Sequence, residues 1–134
     1  MPLIDPRSRY EARLSSNVYK GFSGEIAGTG DLTLWNPAAS KRFILKGWHI
    51  VGIVKTTLAA SNPVIFSLYD NTSLIAPLFG MEATAPVSVQ FESSQNIGDG
   101  YLSANTVNNL VLKPNATIGG GVMFIEALVW GEER

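Results

Sequence analysis

Cysteine is absent from the sequence, which removes disulfides, thiolate-bound zinc, iron–sulfur clusters and thiol nucleophiles together. A single histidine, His49, excludes a histidine-rich metal site. Charge is scarce, at 16% of residues against about 25% in an average soluble domain. The ten Lys and Arg are balanced by eleven Asp and Glu. A chain without basic excess is not built to neutralise a phosphate backbone, so no nucleic-acid partner is expected. Long apolar runs are also missing. The stretch from Phe43 to Val54 is interrupted by Lys46, Gly47 and His49 and cannot span a bilayer as a helix, so no membrane partner is expected. The first twenty residues carry charges throughout and no apolar core of signal-peptide length. A secretory leader is therefore not expected, and the sequons Asn71-Thr72-Ser73 and Asn115-Ala116-Thr117 are read as unmodified.

What is present is β-pattern and turn chemistry. The 134 residues suffice for one domain with a real core. Val87-Ser88-Val89-Gln90-Phe91-Glu92 alternates apolar and polar side chains, the period of a half-buried strand, and Asp31 to Trp35 does the same. Val64 to Tyr69 is a strand by its β-branched and aromatic content. Arg42 to Val54 reads as one long strand bent at Gly47, or as two strands meeting there. Pro77 places Leu74–Phe79 at a sheet edge. Asn108–Lys113 and Val122–Trp130 complete the set, and the last, without a breaker, is expected to be central. Thirteen glycines and seven prolines punctuate these runs at Gly28-Thr29-Gly30, Asn36-Pro37, Gly98-Asp99-Gly100 and Gly119-Gly120-Gly121. No long amphipathic helix is evident. The expectation is an all-β, jelly-roll-like antiparallel β-sandwich of about eight strands.

Residues 1–23 differ in composition and are read as an extended N-terminal arm, with the sandwich domain over 24–134. Arg7, Arg9 and Arg13 supply charge, and Tyr10, Tyr19 and Phe22 supply apolar surface. These six residues are the candidate contacts to a neighbouring subunit. Further along, Lys41, Arg42, Lys46 and Lys55 precede Tyr69 with no acid among them from Leu32. Asp70, Glu82, Glu92 and Asp99 follow with no base before Lys113. These are solvated loop charges or complementary edges of adjoining subunits.

Candidate chemistry is thin, and no catalytic, cofactor or metal residue is assigned. His49 lies between Trp48 and Ile50 in a strand, the setting of a half-buried packing histidine rather than a triad base. Glu126 sits mid-strand on the face of Phe124 and Leu128, at a wet face or an interface. With Glu82 and Glu92 it is the material for a glycosidase pair, but the sequence places no two of them together. Asp99 lacks the spaced oxygen ligands of a calcium loop, and Gly119–Gly121 precedes a strand rather than a helix. Trp35, Trp48 and Trp130, with Tyr69 and Tyr101, are the material for a sugar-stacking platform.

The segment Leu34-Trp35-Asn36-Pro37-Ala38-Ala39-Ser40-Lys41-Arg42-Phe43-Ile44-Leu45 resembles a stretch of small virion proteins of tailed bacteriophages. There Asn-Pro sets a turn, Ser satisfies free backbone groups, and a basic β-rich strand follows. Lys41 replaces the usual Gly after the Ser. The Asp99-Gly100-Tyr101-Leu102 return, the Asn109–Leu112 strand and the glycine-preceded last strand extend the likeness over roughly residues 24–131. The resemblance implies a non-enzymatic jelly-roll protein of the capsid decoration (cement) or head-fibre type. It further implies a homotrimer at the capsid surface of the virion that bridges subunits of the major capsid protein, with no cofactor. The alternative role is a receptor- or carbohydrate-binding module of a tail, fibre or baseplate. A chain that starts at Met1 and stands alone fits decoration better.

Overall fold

The computed structural model describes residues 17–134, so Arg7, Arg9, Tyr10 and Arg13 lie outside the described residues. The chain forms ten strands: β1 (Val18–Ala27), β2 (Leu32–Trp35), β3 (Phe43–Thr56), β4 (Leu58–Ala59), β5 (Val64–Asp70), β6 (Ser73–Met81), β7 (Thr84–Ala85), β8 (Gln90–Leu102), β9 (Leu110–Pro114) and β10 (Val122–Glu133). β1 begins at Val18, so residues 18–23, grouped with the arm on composition, are hydrogen-bonded along β10.

The pairings are nested. β5 pairs with β6, β3 with β8, β2 with β9 and β1 with β10, all antiparallel. This is one long hairpin whose two arms roll over together, and its strands pass between two sheets. The first sheet has the order β1-β10-β3-β8 and the second β2-β9-β5-β6. That arrangement is a jelly roll. A two-stranded ribbon of β4 and β7 joins it at one end. β10 lies inside the first sheet, bonded along its length to β1 and β3, as its unbroken apolar run predicts. β6, with Pro77, is an edge strand, where a missing N–H costs no ladder bond.

The core lies between the sheets. Met123, Ile125, Ala127 and Val129 of β10 alternate inward beside Trp48, Ile50 and Val54 of β3, facing Phe66, Leu68, Leu110 and Leu112 of the second sheet. Phe66, Phe79 and Phe91 carry the contact across the gap, with successive ring centroids 5.3 and 5.4 Å apart. β3 is a single strand, and its ladder to β8 shifts register between Leu45 and Gly47, where Ile97 to Gly100 oppose Lys46 alone. Gly98 and Gly100 there have φ of 61° and 92°. The Gly98-Asp99-Gly100 turn signal thus marks a bulge inside a strand rather than its end. Val87 and Ser88 depart from expectation. They form a turn, with Ser88 at φ 74°, and the strand starts only at Gln90.

The turn at Asn36-Pro37 is also built differently from the sequence reading. Ser40 takes a left-handed φ of 64°, and Lys41 N–H donates to the Ala38 carbonyl at 3.0 Å. The acceptor that holds the turn is Glu133 of β10. Its Oε1 receives both Ala38 N–H and the Trp35 indole N–H at 3.1 Å. A partner almost a hundred residues away leaves no local sequence signal.

Candidate functional site: the outer face of the first sheet

The strand period of two that buries one side of the first sheet places a second set of side chains outward. Register fixes their rows. Tyr19, Trp130, Gly47 and Asn96 form one row, and Gly21, Leu128, His49 and Ser94 the next. Ser23, Glu126, Val51 and Glu92 follow, then Glu25, Phe124, Ile53 and Gln90. Apolar side chains are spread along this face, with Leu128 at 42%, Ile53 at 37% and Tyr19 at 57% exposure, beside the partly buried Val51, Phe124 and Trp130. Single exposed apolar residues are ordinary on soluble proteins; several gathered on one sheet face make a patch. The ring of Trp130 lies across Gly47, where any Cβ would overlap it, so the glycine lets the indole flatten onto the sheet.

Charges at the margins are mostly neutralised. Lys46 pairs with Glu132 at 2.9 Å, and Lys55 with Glu25. The two lysines of β3 thus pair with acids of β1 and β10, not with those of residues 70–112. His49 Nε2 lies 3.1 Å from Glu92 Oε1. Because Trp48 and Ile50 point inward, His49 points out and is half exposed, not the packing residue its neighbours suggested. Glu126 stands in the middle of the face without an ionic partner among the described residues. An open trough of about 710 Å³ runs beside it, lined by Phe22, His49, Val51 and Leu128 and floored by the small Gly21 and Ser23.

Of the arm residues that fall within the described chain, Tyr19 opens outward at the end of this face, while Phe22 packs partly against the core. Glu92 and Glu126 flank Val51 on one row, whereas Glu82 lies near the β4–β7 ribbon. Among the described residues no three of His, Asp and Glu stand together as a metal site requires. Trp35 and Trp48 are buried, so the tryptophans do not make an exposed stacking platform. On the second sheet Tyr69 is covered by the Lys113 ammonium, 4.4 Å from its ring centre.

One buried charge was not foreseen. Asp70, 1% exposed at the end of β5, accepts from Tyr101 Oη and Ser103 Oγ at 2.8 Å, Ala104 N–H at 2.7 Å and Asn108 Nδ2 at 2.9 Å. Burial alone pushes its carboxyl up, but the four donors outweigh this and hold it below the ordinary value. Burial and the carboxylate beside it push the Tyr101 phenol up. The cluster ties the β5–β6 turn to the end of β8 and the loop before β9, and its chemistry is structural.

No family model matches the sequence, and no curated protein matches it. Solved structures share its general arrangement. A chain of the cyanophage Pam1 capsid asymmetric unit is 13% identical, with a TM-score of 0.43 over 85% of this chain and 82% of that one. The tobacco streak virus coat protein is 10% identical, with a TM-score of 0.41 over 90% and 87%. A protein of Bacillus endospore appendages, described as disulfide-linked pili, is 9% identical, with a TM-score of 0.40 over 87% and 89%. At these scores and identities the likenesses carry no argument about function, and the jelly-roll assignment rests on the strand order and nested pairings of the chain itself.

Proposed function

We propose that the chain is a non-enzymatic structural protein of a bacteriophage virion, acting at the capsid surface as a decoration protein. It associates with copies of itself, as a homotrimer, and bridges subunits of the major capsid protein. The observation that carries this reading is the apolar outer face of the first sheet, on a jelly roll whose described buried polar side chains are all satisfied within the fold. Such a surface suits repeated contact with identical neighbours. The sequence resemblance from Leu34 to Leu45 supports the virion assignment. The arm residues Arg7, Arg9, Tyr10, Arg13, Tyr19 and Phe22 are proposed to reach a neighbouring subunit, the arginines pairing with carboxylates there.

The test is native mass by light scattering, followed by co-sedimentation with shells of the major capsid protein. A species near three times the 14.4 kDa chain mass that sediments with shells is the expected result. A protein that stays monomeric and remains in the supernatant overturns the reading.

A further inference from the structure

Among the described residues, Glu126 is the charge on the outer face without an ionic partner. Lys46, Lys55 and His49 on the same face are already engaged by Glu132, Glu25 and Glu92. The trough beside it has apolar walls in Val51 and Leu128, and Gly21 adds no side chain to obstruct it. A complementary occupant is an extended segment that carries apolar side chains and a guanidinium, since arginine meets a carboxylate through two parallel hydrogen bonds.

The chain itself contains such a segment. Residues 1–16 hold Arg7, Arg9 and Arg13 against Asp5 and Glu11, interleaved with Leu3, Ile4, Tyr10 and Leu14. They join the sheet at Val18, and from there β1 runs past the trough toward Ala27. Chain continuing upstream in the direction of β1 therefore leads away from its own trough. Sixteen residues reach at most about 55 Å, whereas a domain of this length has a radius of gyration of about 14 Å.

We infer that the trough receives the 1–16 segment of a second copy, with an arginine of that segment on Glu126. The inference rests on the self-associating reading above and adds the surface and its occupant. Segment-to-trough contact is heterologous, the kind that closes into a ring when the rotation between copies permits.

Charge exchange in the full-length chain tests it. Glu126→Arg and the triple change Arg7→Glu, Arg9→Glu, Arg13→Glu are each expected to weaken self-association about tenfold or more by concentration-dependent light scattering, and combining them restores it. Glu126→Gln, which keeps the side-chain shape, gives a smaller loss in the same direction. Because Glu126 is exposed, thermal melts of the single variants are expected to match the wild type. Wild-type mass for Glu126→Arg overturns the inference. So does dissociation by both changes without mutual rescue. A lowered melt with unchanged mass places the segment on its own copy and also overturns it. A wild-type monomer that still sediments with shells overturns this inference while leaving the virion reading standing, whereas one that does neither overturns both.

Discussion

At the scale of single residues, the strongest constraint is Asp70, because four donors depend on one buried carboxylate. Asp70→Ala strands Tyr101 Oη, Ser103 Oγ, Ala104 N–H and Asn108 Nδ2. Each stranded donor costs about 1–3 kcal/mol, so a total loss of at least about 3 kcal/mol is expected in urea titration. The depressed folded-state pKa fixes the sign of the pH effect. Its stabilisation is fully present above the ordinary value of 3.8 and is lost as pH falls through the lower folded value. The stability gap between wild type and Asp70→Asn is therefore expected to narrow below about pH 4. A gap that stays constant from pH 6 to pH 2 contradicts this account. Gly47 is a second such position. Gly47→Ala drives a methyl into the Trp130 ring, and overpacking of this kind costs about 1–3 kcal/mol. A change in tryptophan emission accompanies the loss if the indole is displaced.

Among the elements, strands that obey a local rule were legible and those shaped by distant partners were not. β10 could be read as central because nine residues from Val122 to Trp130 contain no breaker, and β6 as an edge because of Pro77. The long β3 and its irregularity near Gly47 were likewise visible in the glycine spacing. β8 was not. Its inward positions after Phe91, Ser93 and Gln95, are polar like the outward Glu92, Ser94 and Asn96, so the alternation fades there, and its bulge carries turn chemistry. The face bearing Glu126 was half legible. Alternation put Glu126 with Phe124 and Leu128, but the rows that add Val51, Ile53 and Tyr19 depend on strand register, which the sequence did not supply. The bulge offers its own prediction. Gly100, at φ 92°, would bring a Cβ to 2.8 Å from the Leu45 carbonyl. Gly100→Ala therefore strains the backbone by about 1–3 kcal/mol and speeds amide exchange in β8 ahead of β10.

For the whole molecule, the two outer sheet faces differ in kind. The first carries Leu128, Ile53 and Trp130 around Glu126, which has no ionic partner among the described residues. The second carries Ile65 and Leu74, with Lys113 held against Tyr69. If copies meet through the first face, Leu128→Lys places an ammonium in a desolvated contact and should disperse the oligomer. Leu74→Lys, on the opposite side of the sandwich, should leave native mass unchanged. Both residues are exposed in the single chain, at 42% and 61%, so neither change is expected to shift the thermal melt by more than surface substitutions do, about 0.5 kcal/mol. Salt separates the apolar from the ionic part of the contact. An association anchored by arginine on exposed Glu126 weakens as ionic strength rises from 0.01 to 1 M, because the screening length falls from about 30 to 3 Å. One held by Leu128, Ile53 and Trp130 alone does not. The expected result is a partial loss of mass at high salt in the wild type, and a smaller one in Glu126→Gln, whose residual association lacks that ion pair. The opposite ranking of Leu128→Lys and Leu74→Lys would move the self-association surface to the second sheet and leave the trough at Glu126 without its occupant.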